Sequence, residues 1–258
     1  MRFTRPALGA VGAVGAFGLA ELVTRTGLVD NEYVPPASTV LWRAVRMCGD
    51  TEFLTQVGGT VRVWLTGLAL ATAAAVALGL VLSAAPWLNR AARLVVELLR
   101  PIPSIALIPL AVLTFSTAAK SETSLVFYAA TWPILINTLY ALRDVDPVAK
   151  DTLRAFGFGT VPILLRVSLP SAAPFVLTGV RIAASVGLVV VVSTELVAGT
   201  GEGIGGFLMQ SQSGGGQPDY MLAGAVWAGV LGLLATGVFA AVERRAFRWH
   251  GAGTEAEA

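Results

Sequence analysis

Four ionisable side chains stand inside apolar stretches of this chain at spacings that would let them act in pairs. Glu97 and Arg100 are three residues apart, which places them on one face of a helix, where they are expected to pair. Arg181 and Glu195 are fourteen residues apart, nearly four helical turns, and so share one side of a helix with Leu188. Buried charges of this kind typically face a polar cavity or the interior of a helix bundle.

Two interpretations stay open for each pair. Glu97 and Arg100 fit a salt bridge near the inner membrane interface as well as a gating role. Arg181 and Glu195 could line a pathway or meet a second copy of the chain, or they could extend to opposite membrane interfaces. Arginine at positions 100 and 181 is compatible with a pathway that binds an anion.

Catalysis by this chain is not expected. Its single histidine, His250, lies near the C-terminus, and its single cysteine, Cys48, has no partner for a disulfide or a metal site. No GxxxxGK[ST] phosphate-binding loop occurs. The glycines from Gly201 to Gly206 match GxGxxG, but a membrane span rather than a β-strand precedes them, so a turn is expected there and no dinucleotide site.

The composition identifies a polytopic membrane protein. Hydrophobic residues make up 55% of the chain, charged residues 13%, and the net charge is only +2. Binding to nucleic acid is therefore not expected. Apolar stretches of about 20 residues predict an all-α bundle of about six spans. They lie near 7–23, 61–83, 92–116, 123–142, 174–198 and 220–242.

Basic residues predict the orientation of these spans. Eleven of the 18 arginines and lysines fall on the segments that share a side with the N-terminus, and five on the other side. Because cytoplasmic loops carry the excess of basic residues, both termini are expected inside. The first span could be a signal peptide, but Glu21 and Leu22 stand where small residues would mark cleavage, so an uncleaved anchor is favoured.

Prolines and small residues predict where the spans are irregular and how they pack. Pro101, Pro103 and Pro109 each remove a backbone donor, so the third span should bend beside a pathway. Asn137, close to Pro133 in the fourth span, is a further candidate lining residue. In the fifth span, the face formed by Gly179, Ala183 and Gly187 is expected to pack within the subunit.

A polar interruption over residues 145–173 separates the fourth and fifth spans. A short helix over Pro147–Phe156 is expected, then a turn for which Gly157 and Gly159 allow the positive φ, then a second helical segment before Leu169. Pro170 and Pro174 suit the first turn of the next span. Such a helix-turn-helix would transmit a partner's movement to the fifth span.

This interruption resembles the EAA loop of the integral-membrane permease subunits of type I ABC importers. Asp151, Thr152 and Leu153 stand at the positions of the family's Glu-Ala-Ala, and Gly157 follows three residues later. After nine more residues comes Val167-Ser168-Leu169-Pro170, similar to the family's Ile-x-Leu-Pro. In that family this loop docks into a groove of the ATPase subunit.

A second motif resembles the same permeases, specifically the nitrate/sulfonate/taurine type. The run from Arg100 to Leu110 is similar to their R-x-I-P-x-x-A-L-x-P-L. The resemblance implies a homodimer that works with two cytoplasmic ATPases, which hold ATP and Mg, and an extracytoplasmic solute-binding protein in a bacterial plasma membrane. The chain itself would bind no cofactor or metal.

The expected function is import of a small, anionic, nitrate-, sulfonate- or taurine-like solute. Alternatives are a permease for a thiamine precursor, methionine or an osmoprotectant, and a self-sufficient channel or ion-coupled carrier. A membrane enzyme is disfavoured because a catalytic cluster is missing. The expected organisation is an N-terminal anchor and external loop (1–34), a permease core (35–242) and a cytoplasmic tail (243–258).

Overall fold

A computed structural model describes residues 5–26, 34–199, 202–213 and 217–247, and every regular element in these ranges is helical. The helices are α1 (Arg5–Arg25), α2 (Ala37–Met47), α3 (Thr51–Ala84), α4 (Pro86–Leu99), α5 (Ile108–Thr114), α6 (Ala118–Asp144), α7 (Pro147–Ala155), α8 (Thr160–Ile163), α9 (Leu169–Ala198), α10 (Gly203–Ser213) and α11 (Pro218–Ala246). A 3-10 turn, Ser104–Leu107, precedes α5, and a π-helical segment, Leu164–Ser168, joins α8 to α9. The all-α prediction is confirmed.

Four helical stretches in the described ranges are long and apolar enough to cross a membrane. They are Thr51–Ala84, Ala118–Asp144, Thr160–Ala198 and Pro218–Ala246, which correspond to the predicted second, fourth, fifth and sixth spans. The predicted third span is a bent pair, Trp87–Leu99 and Ser104–Thr114, whose axes differ by 80°. The predicted first span coincides with α1, which is not among these stretches.

The core is built from α3, α6 and α9, which pack closely because small residues recur where they meet. Gly67 and Gly79 of α3 leave no room for a methyl group beside Val126 and Thr138 of α6. Trp64 of α3 donates its indole N–H to the Ala184 carbonyl of α9 at 2.9 Å. Small residues let helix backbones approach where lipid supplies no hydrophobic driving force.

Both sides of α9 are buried within the chain. The predicted small-residue face is confirmed, since Gly179 contacts Asn137 of α6 and Gly187 contacts Trp64 and Val126. Leu188 and Glu195, however, are also buried, at 6% and 1% exposure. The expectation that this second side meets a pathway or another copy is therefore wrong for these two residues, because α3, α10 and α11 also pack against α9.

A second layer covers one end of the core. α2 packs on α11, and their contact encloses Phe53, whose ring meets the rings of Phe207 and Trp227 edge-on. Arg43 of α2 donates to the Asp219 carboxylate at 2.6 and 2.8 Å, and this bond raises the pKa of Arg43. Ser38, in the first turn of α2, donates its hydroxyl to Glu21 of α1 at 2.8 Å.

Candidate functional site

The loop between α6 and α9 has the predicted helix-turn-helix form. Asp146 caps α7 by accepting the Val148 N–H at 2.8 Å, and Pro147 occupies the first turn. After α7, Gly157 has φ of 81°, and the Phe158 N–H returns to the Leu153 carbonyl at 3.1 Å. This left-handed glycine ends a helix in the manner of a C-terminal cap. Gly159 has φ of −74°, so Gly157 alone supplies the positive φ of this turn.

The motif residues of the loop are mostly accessible. Asp151, Thr152 and Pro170 are exposed, whereas Leu153, Val167 and Leu169 are half-buried. Asp151 pairs with Arg154 at 2.7 Å on the surface of α7. The head of the motif therefore presents its polar side outward and turns one apolar side chain back onto the protein.

The second half of the loop is continuous with α9. α8, the π-helical segment and α9 form one helical stretch, Thr160–Ala198, so the fifth span begins inside the loop. Pro170 and Pro174 lie within this stretch, and the π-helical turn comes just before Pro170. Local widening of this kind accommodates a proline that lacks the N–H of a regular helix.

Large apolar side chains of the loop are exposed. Phe156 is 78% exposed, Val148 69% and Val161 63%. Exposed apolar surface flanked by polar residues marks a contact site for a partner. We call Val148, Phe156 and Val161 the loop patch.

An open cavity of about 430 Å³ lies at the same end of the bundle as the loop, between α3, α4 and α6. Its charged lining residues are Arg93, Glu97, Arg100 and Arg143. Three arginines against one glutamate make this inner cavity basic. Glu97 pairs with Arg93 at 3.5 Å one turn earlier, so the expected pair with Arg100 is wrong. Leu82, Val96 and Leu139 supply apolar wall.

The prolines of the third span shape the bend beside this cavity. Pro101 lines the cavity, Pro103 precedes the 3-10 turn, and Pro109 lies in the first turn of α5. The sequence prediction of an irregular third span is confirmed by the 80° angle. The break falls between Leu99 and Ser104, where two of the three prolines stand.

The remaining predicted pathway residues occupy different environments. Asn137 donates its side-chain N–H to the Pro133 carbonyl at 2.8 Å and lines a second cavity, of about 320 Å³, which shares Tyr140 and Arg143 with the inner cavity. Arg181 is part-buried and pairs with Glu243 of α11 at 3.2 Å. The structure thus separates Arg181 from Glu195, which contacts other elements.

Glu195 joins three elements at the opposite end of the bundle. One carboxyl oxygen accepts the Thr60 hydroxyl of α3 at 2.7 Å, and the other accepts the Gly205 N–H of α10 at 2.9 Å. The Ile204 N–H donates to Thr60 at 2.9 Å, and the Gly203 N–H donates to Gln56 at 2.7 Å. Side chains of α3 and α9 therefore accept the first three N–H groups of α10. We call these contacts of Gln56, Thr60 and Glu195 with the start of α10 the α10 joint.

The α10 joint was missed by the sequence reasoning. Gly203–Gly206 begins a helix rather than a simple turn. Gly203 has φ of 76°, and a Cβ on either Gly203 or Gly205 would collide with Glu195. The available signal was the glycine cluster ten residues after a buried acid, followed by apolar residues of helical spacing. In the described ranges, no group of three or more metal-ligating side chains occurs.

Residues 67–248 match the family described as binding-protein-dependent transport system inner membrane component, over more than two thirds of the chain. The chain belongs to this family. It is thus an integral-membrane permease subunit of a type I ABC importer, as the loop motif and the proline run predict.

Two relatives show the extent of the similarity. The taurine transport system permease protein TauC of Escherichia coli is 31% identical over 229 residues, covering 87% of this permease and 82% of TauC. The nitrate import permease protein NrtB of Leptolyngbya laminosa is 26% identical over 185 residues, covering 72% of this permease and 66% of NrtB. Matches of this length extend over both the loop and the proline run, which lie in the middle of the chain.

Solved structures share the fold. A chain of the MetNI methionine ABC transporter in an inward-facing conformation superposes with a TM-score of 0.63 at 19% identity, covering 73% of this permease and 93% of that chain. An amino acid ABC transporter crystallised with histidines gives a TM-score of 0.61 at 15% identity, covering 78% of this permease and 97% of that chain. At these identities the likeness concerns the fold alone.

Proposed function

We propose that the permease imports a small anionic solute of the nitrate, sulfonate or taurine kind through a bacterial plasma membrane. It would act as a homodimer with cytoplasmic ATPases, which hold ATP and Mg, and with an extracytoplasmic solute-binding protein. The chain itself would supply the pathway and no catalysis. Its termini and residues 145–173 would be cytoplasmic, and residues 243–258 would form the tail. The observation that carries this proposal is the continuity of the loop with α9.

The loop patch supports docking of an ATPase. Phe156 stands beside the Gly157 turn, and Val148 in the first half of the loop and Val161 in the second half are exposed as well. Asp151, Thr152 and Leu153 would begin the docking element, and Val167, Leu169 and Pro170 would end it. An aromatic side chain at the centre of such a surface typically dominates the binding energy.

Movement at the loop would pass directly into the fifth span. A 39-residue helical stretch runs from Thr160 to Ala198 without a break. A displacement of α8 would therefore move α9 with it as one rigid body. At its far end, Glu195 ties α9 to α10 and α3. A displacement that begins at the ATPase therefore reaches the opposite surface as a coupled motion of three helices.

The inner cavity supports the anionic class of solute. Arg100 and Arg143 line it together with the Arg93–Glu97 pair, so its net charge is positive. Guanidinium groups bind planar and tetrahedral oxyanions through paired N–H donors. We assign Glu97, Arg100 and Pro101 to the cytoplasmic end of the pathway, Pro103 and Pro109 to the bend that shapes it, and Asn137 to its wall.

The exposed side of α9 supports a homodimer. Ile182, Val186 and Val189 follow one another along this side and are 46%, 40% and 61% exposed. They lie on the same helix that the loop would move. A second copy packed against this side would place the two α9 helices next to each other, with Arg181 and its partner Glu243 near the cytoplasmic edge.

The test of this proposal is uptake into proteoliposomes that contain the permease, the ATPase encoded beside it and the neighbouring solute-binding protein. Taurine, nitrate and an alkylsulfonate are compared with methionine and with a thiamine-precursor pyrimidine, each with and without internal ATP. ATP-dependent uptake of an anion, competed by other anions, supports the proposal. Uptake by the permease alone without ATP, or ATP-dependent uptake of only neutral or cationic solutes, contradicts it.

Phe156→Asp is expected to lower the amount of co-purified ATPase at least about tenfold, since a buried aromatic anchor is typically worth about 2 kcal/mol or more. The side chain is 78% exposed, so the fold of the permease should be unaffected. Phe115→Asp is the matched control: it makes the same change at the opposite end of the bundle, where Phe115 is 40% exposed. Equal loss in both variants would contradict docking at the loop patch.

A further inference from the structure

Another open cavity lies at the end of the bundle opposite to the loop. It opens beside the first turns of α6, whereas the loop follows the last turn of that helix. Its wall is formed mainly by α3 and α6, and its volume is about 670 Å³. We call it the outer cavity. Binding sites for small molecules usually have volumes of about 300–1,000 Å³, so the outer cavity has room for a small solute.

The packing of α3 against α6 fixes which lining residues lie side by side. A Cβ on Gly67 of α3 would meet Val126 of α6, and a Cβ on Gly79 would meet Thr138. Both intervals are twelve residues, so the two helices run parallel and keep one register between these contacts. Positions at equal distances before the first contact are therefore level with each other.

Two cations lie at one level of the outer cavity. Arg62 stands five residues before the first contact on α3, and Lys120 stands six residues before it on α6. Both side chains line the cavity and are exposed, and neither forms an ion pair within the part of the chain that the structure describes. Because Glu202 is the only acid among the described lining residues, the net charge of the cavity is positive.

Two hydroxyl groups of the outer cavity are engaged by backbone. Thr66 donates to the Arg62 carbonyl at 2.7 Å, and Ser124 donates to the Ser121 carbonyl at 2.7 Å. Their protons are thus used within the helices, which leaves Arg62 and Lys120 as the charged donors. Charged donors form strong hydrogen bonds to oxyanions, and a planar guanidinium supplies two at once. The outer cavity therefore favours an oxyanion over a neutral ligand.

Apolar side chains line the outer cavity below the two cations. Leu70 lies eight residues beyond Arg62 on α3, and Phe127 lies seven residues beyond Lys120 on α6. At 1.5 Å per residue, both are about 10–12 Å deeper than the cations. Both side chains are exposed. A ligand with its anionic group at the cations can therefore place an apolar chain against them.

The same pair of helices lines the inner cavity at its other end. Leu82 of α3 and Arg143 of α6 belong to that cavity, and Arg143 lies 23 residues beyond Lys120. This interval is about 35 Å along a helix, close to the thickness of a membrane's hydrocarbon core, about 30 Å. A basic cavity thus lies at each end of the α3–α6 pair, as is expected if an anionic solute passes from one to the other.

We propose that the outer cavity binds the transported solute, with its oxyanion group between Arg62 and Lys120 and a short apolar chain against Leu70 and Phe127. An alkylsulfonate or a similar organic oxyanion fills both parts of the cavity, whereas nitrate fills only the charged part. The inference rests on the proposed function for the identity of the ligand as the solute. An anionic phospholipid also joins an oxyanion to an apolar chain, but the basic inner cavity on the same helices favours the solute.

Protection of a single cysteine tests the two cations. In a Cys48→Ala background, Thr66→Cys places a thiol in the outer cavity of the full-length permease in phosphatidylcholine nanodiscs. Butanesulfonate should slow the reaction of this thiol with N-ethylmaleimide saturably. Arg62→Gln and Lys120→Gln should each raise the half-protecting concentration about tenfold, the effect of losing one charge-assisted hydrogen bond. Arg46→Gln is the matched control, since Arg46 is an exposed arginine shortly before α3 that does not line the cavity.

The length of the alkyl chain tests the apolar part of the cavity. From methanesulfonate to butanesulfonate, each added CH₂ should lower the half-protecting concentration about threefold. Leu70→Ala should reduce this advantage of the longer chain. Leu78→Ala should not, because Leu78 is about as exposed on α3 but lies outside the cavity lining. Glu202→Gln, which removes the like charge from the cavity, should lower the half-protecting concentration for every sulfonate.

Three results would overturn the proposal. The first is no protection by butanesulfonate, and the second is an equal effect of Arg62→Gln and Arg46→Gln. The third is loss of protection when phosphatidylglycerol is added to the nanodiscs, which would assign the outer cavity to a lipid headgroup. None of these results depends on the ATPase or on a solute-binding protein. Failure of the proposed function would instead appear as lost ATPase binding or lost ATP-dependent uptake, with protection unchanged.

Discussion

Glu195→Ala is expected to destabilise the permease more than any other single truncation in α9. The change leaves the buried Gly205 N–H without its acceptor, and it leaves the Thr60 hydroxyl only the long contact to the Gln56 carbonyl at 3.4 Å. Each buried unsatisfied group costs about 1–3 kcal/mol, so a loss of about 3 kcal/mol is expected. The apparent melting temperature in detergent should then fall by about 10 °C. Glu195→Gln keeps one carbonyl acceptor, so its melting temperature should fall by less.

The glycines of the α10 joint provide an independent check. A methyl group at Gly205 would collide with the side chain of Glu195 and with the α9 backbone, so Gly205→Ala should lower the melting temperature as strongly as Glu195→Ala. Gly58→Ala, on α3, is the matched control because a Cβ there meets no neighbouring atom. Glu202→Ala removes an exposed acid and should also have no effect.

A different result would assign Glu195 another role. If Glu195→Gln kept the wild-type melting temperature but abolished transport, the carboxyl group would act on the solute or on a proton and not as a structural link. Measuring stability and uptake on the same preparation separates these two cases.

Gly157→Val is expected to reduce coupling between the permease and its ATPase about tenfold or more. The residue adopts φ of 81°, a conformation that a β-branched residue rarely takes and that costs about 1–3 kcal/mol. The turn after α7 would open, and the loop patch would lose its arrangement. The measurement is transport-dependent ATP hydrolysis, together with the amount of ATPase retained during purification.

Gly159→Val is a closely matched control for this change. Gly159 lies two residues away in the same turn and has φ of −74°, and a Cβ at either glycine would point into open space. Valine therefore fits at 159 without strain. Equal loss of coupling at both positions would show that bulk, and not the backbone conformation at Gly157, interferes with the partner.

Much of the loop was predictable from sequence because its determinants are local. Pro147 starts a helix, Gly157 ends it, and both effects depend on the backbone of a few neighbouring residues. Gly159 shows the limit of this reasoning. Glycine permits a positive φ but does not require one, so the conformation at 159 followed from how α8 begins and not from the residue type.

Pairing of charged groups was predicted less well. Glu97 has arginines three residues after it and four residues before it, and spacing alone does not distinguish them. In the structure, the partner of Glu97 is Arg93, one turn earlier on α4. Arg181 found its partner on α11, 62 residues away, where no local rule applies.

The sequence by itself determined the membrane class, the second to sixth helical spans, the bend in the third span and the motif that joins a loop to the fifth span. These features follow from hydropathy, from proline's missing donor and from glycine's conformational freedom, all of which act over a few residues. Only the tertiary structure decided that Glu195 is a buried link among α3, α9 and α10, and that Arg181 pairs with Glu243 of α11. A buried carboxyl takes its role from the donors that distant elements bring to it, and those donors are set by packing.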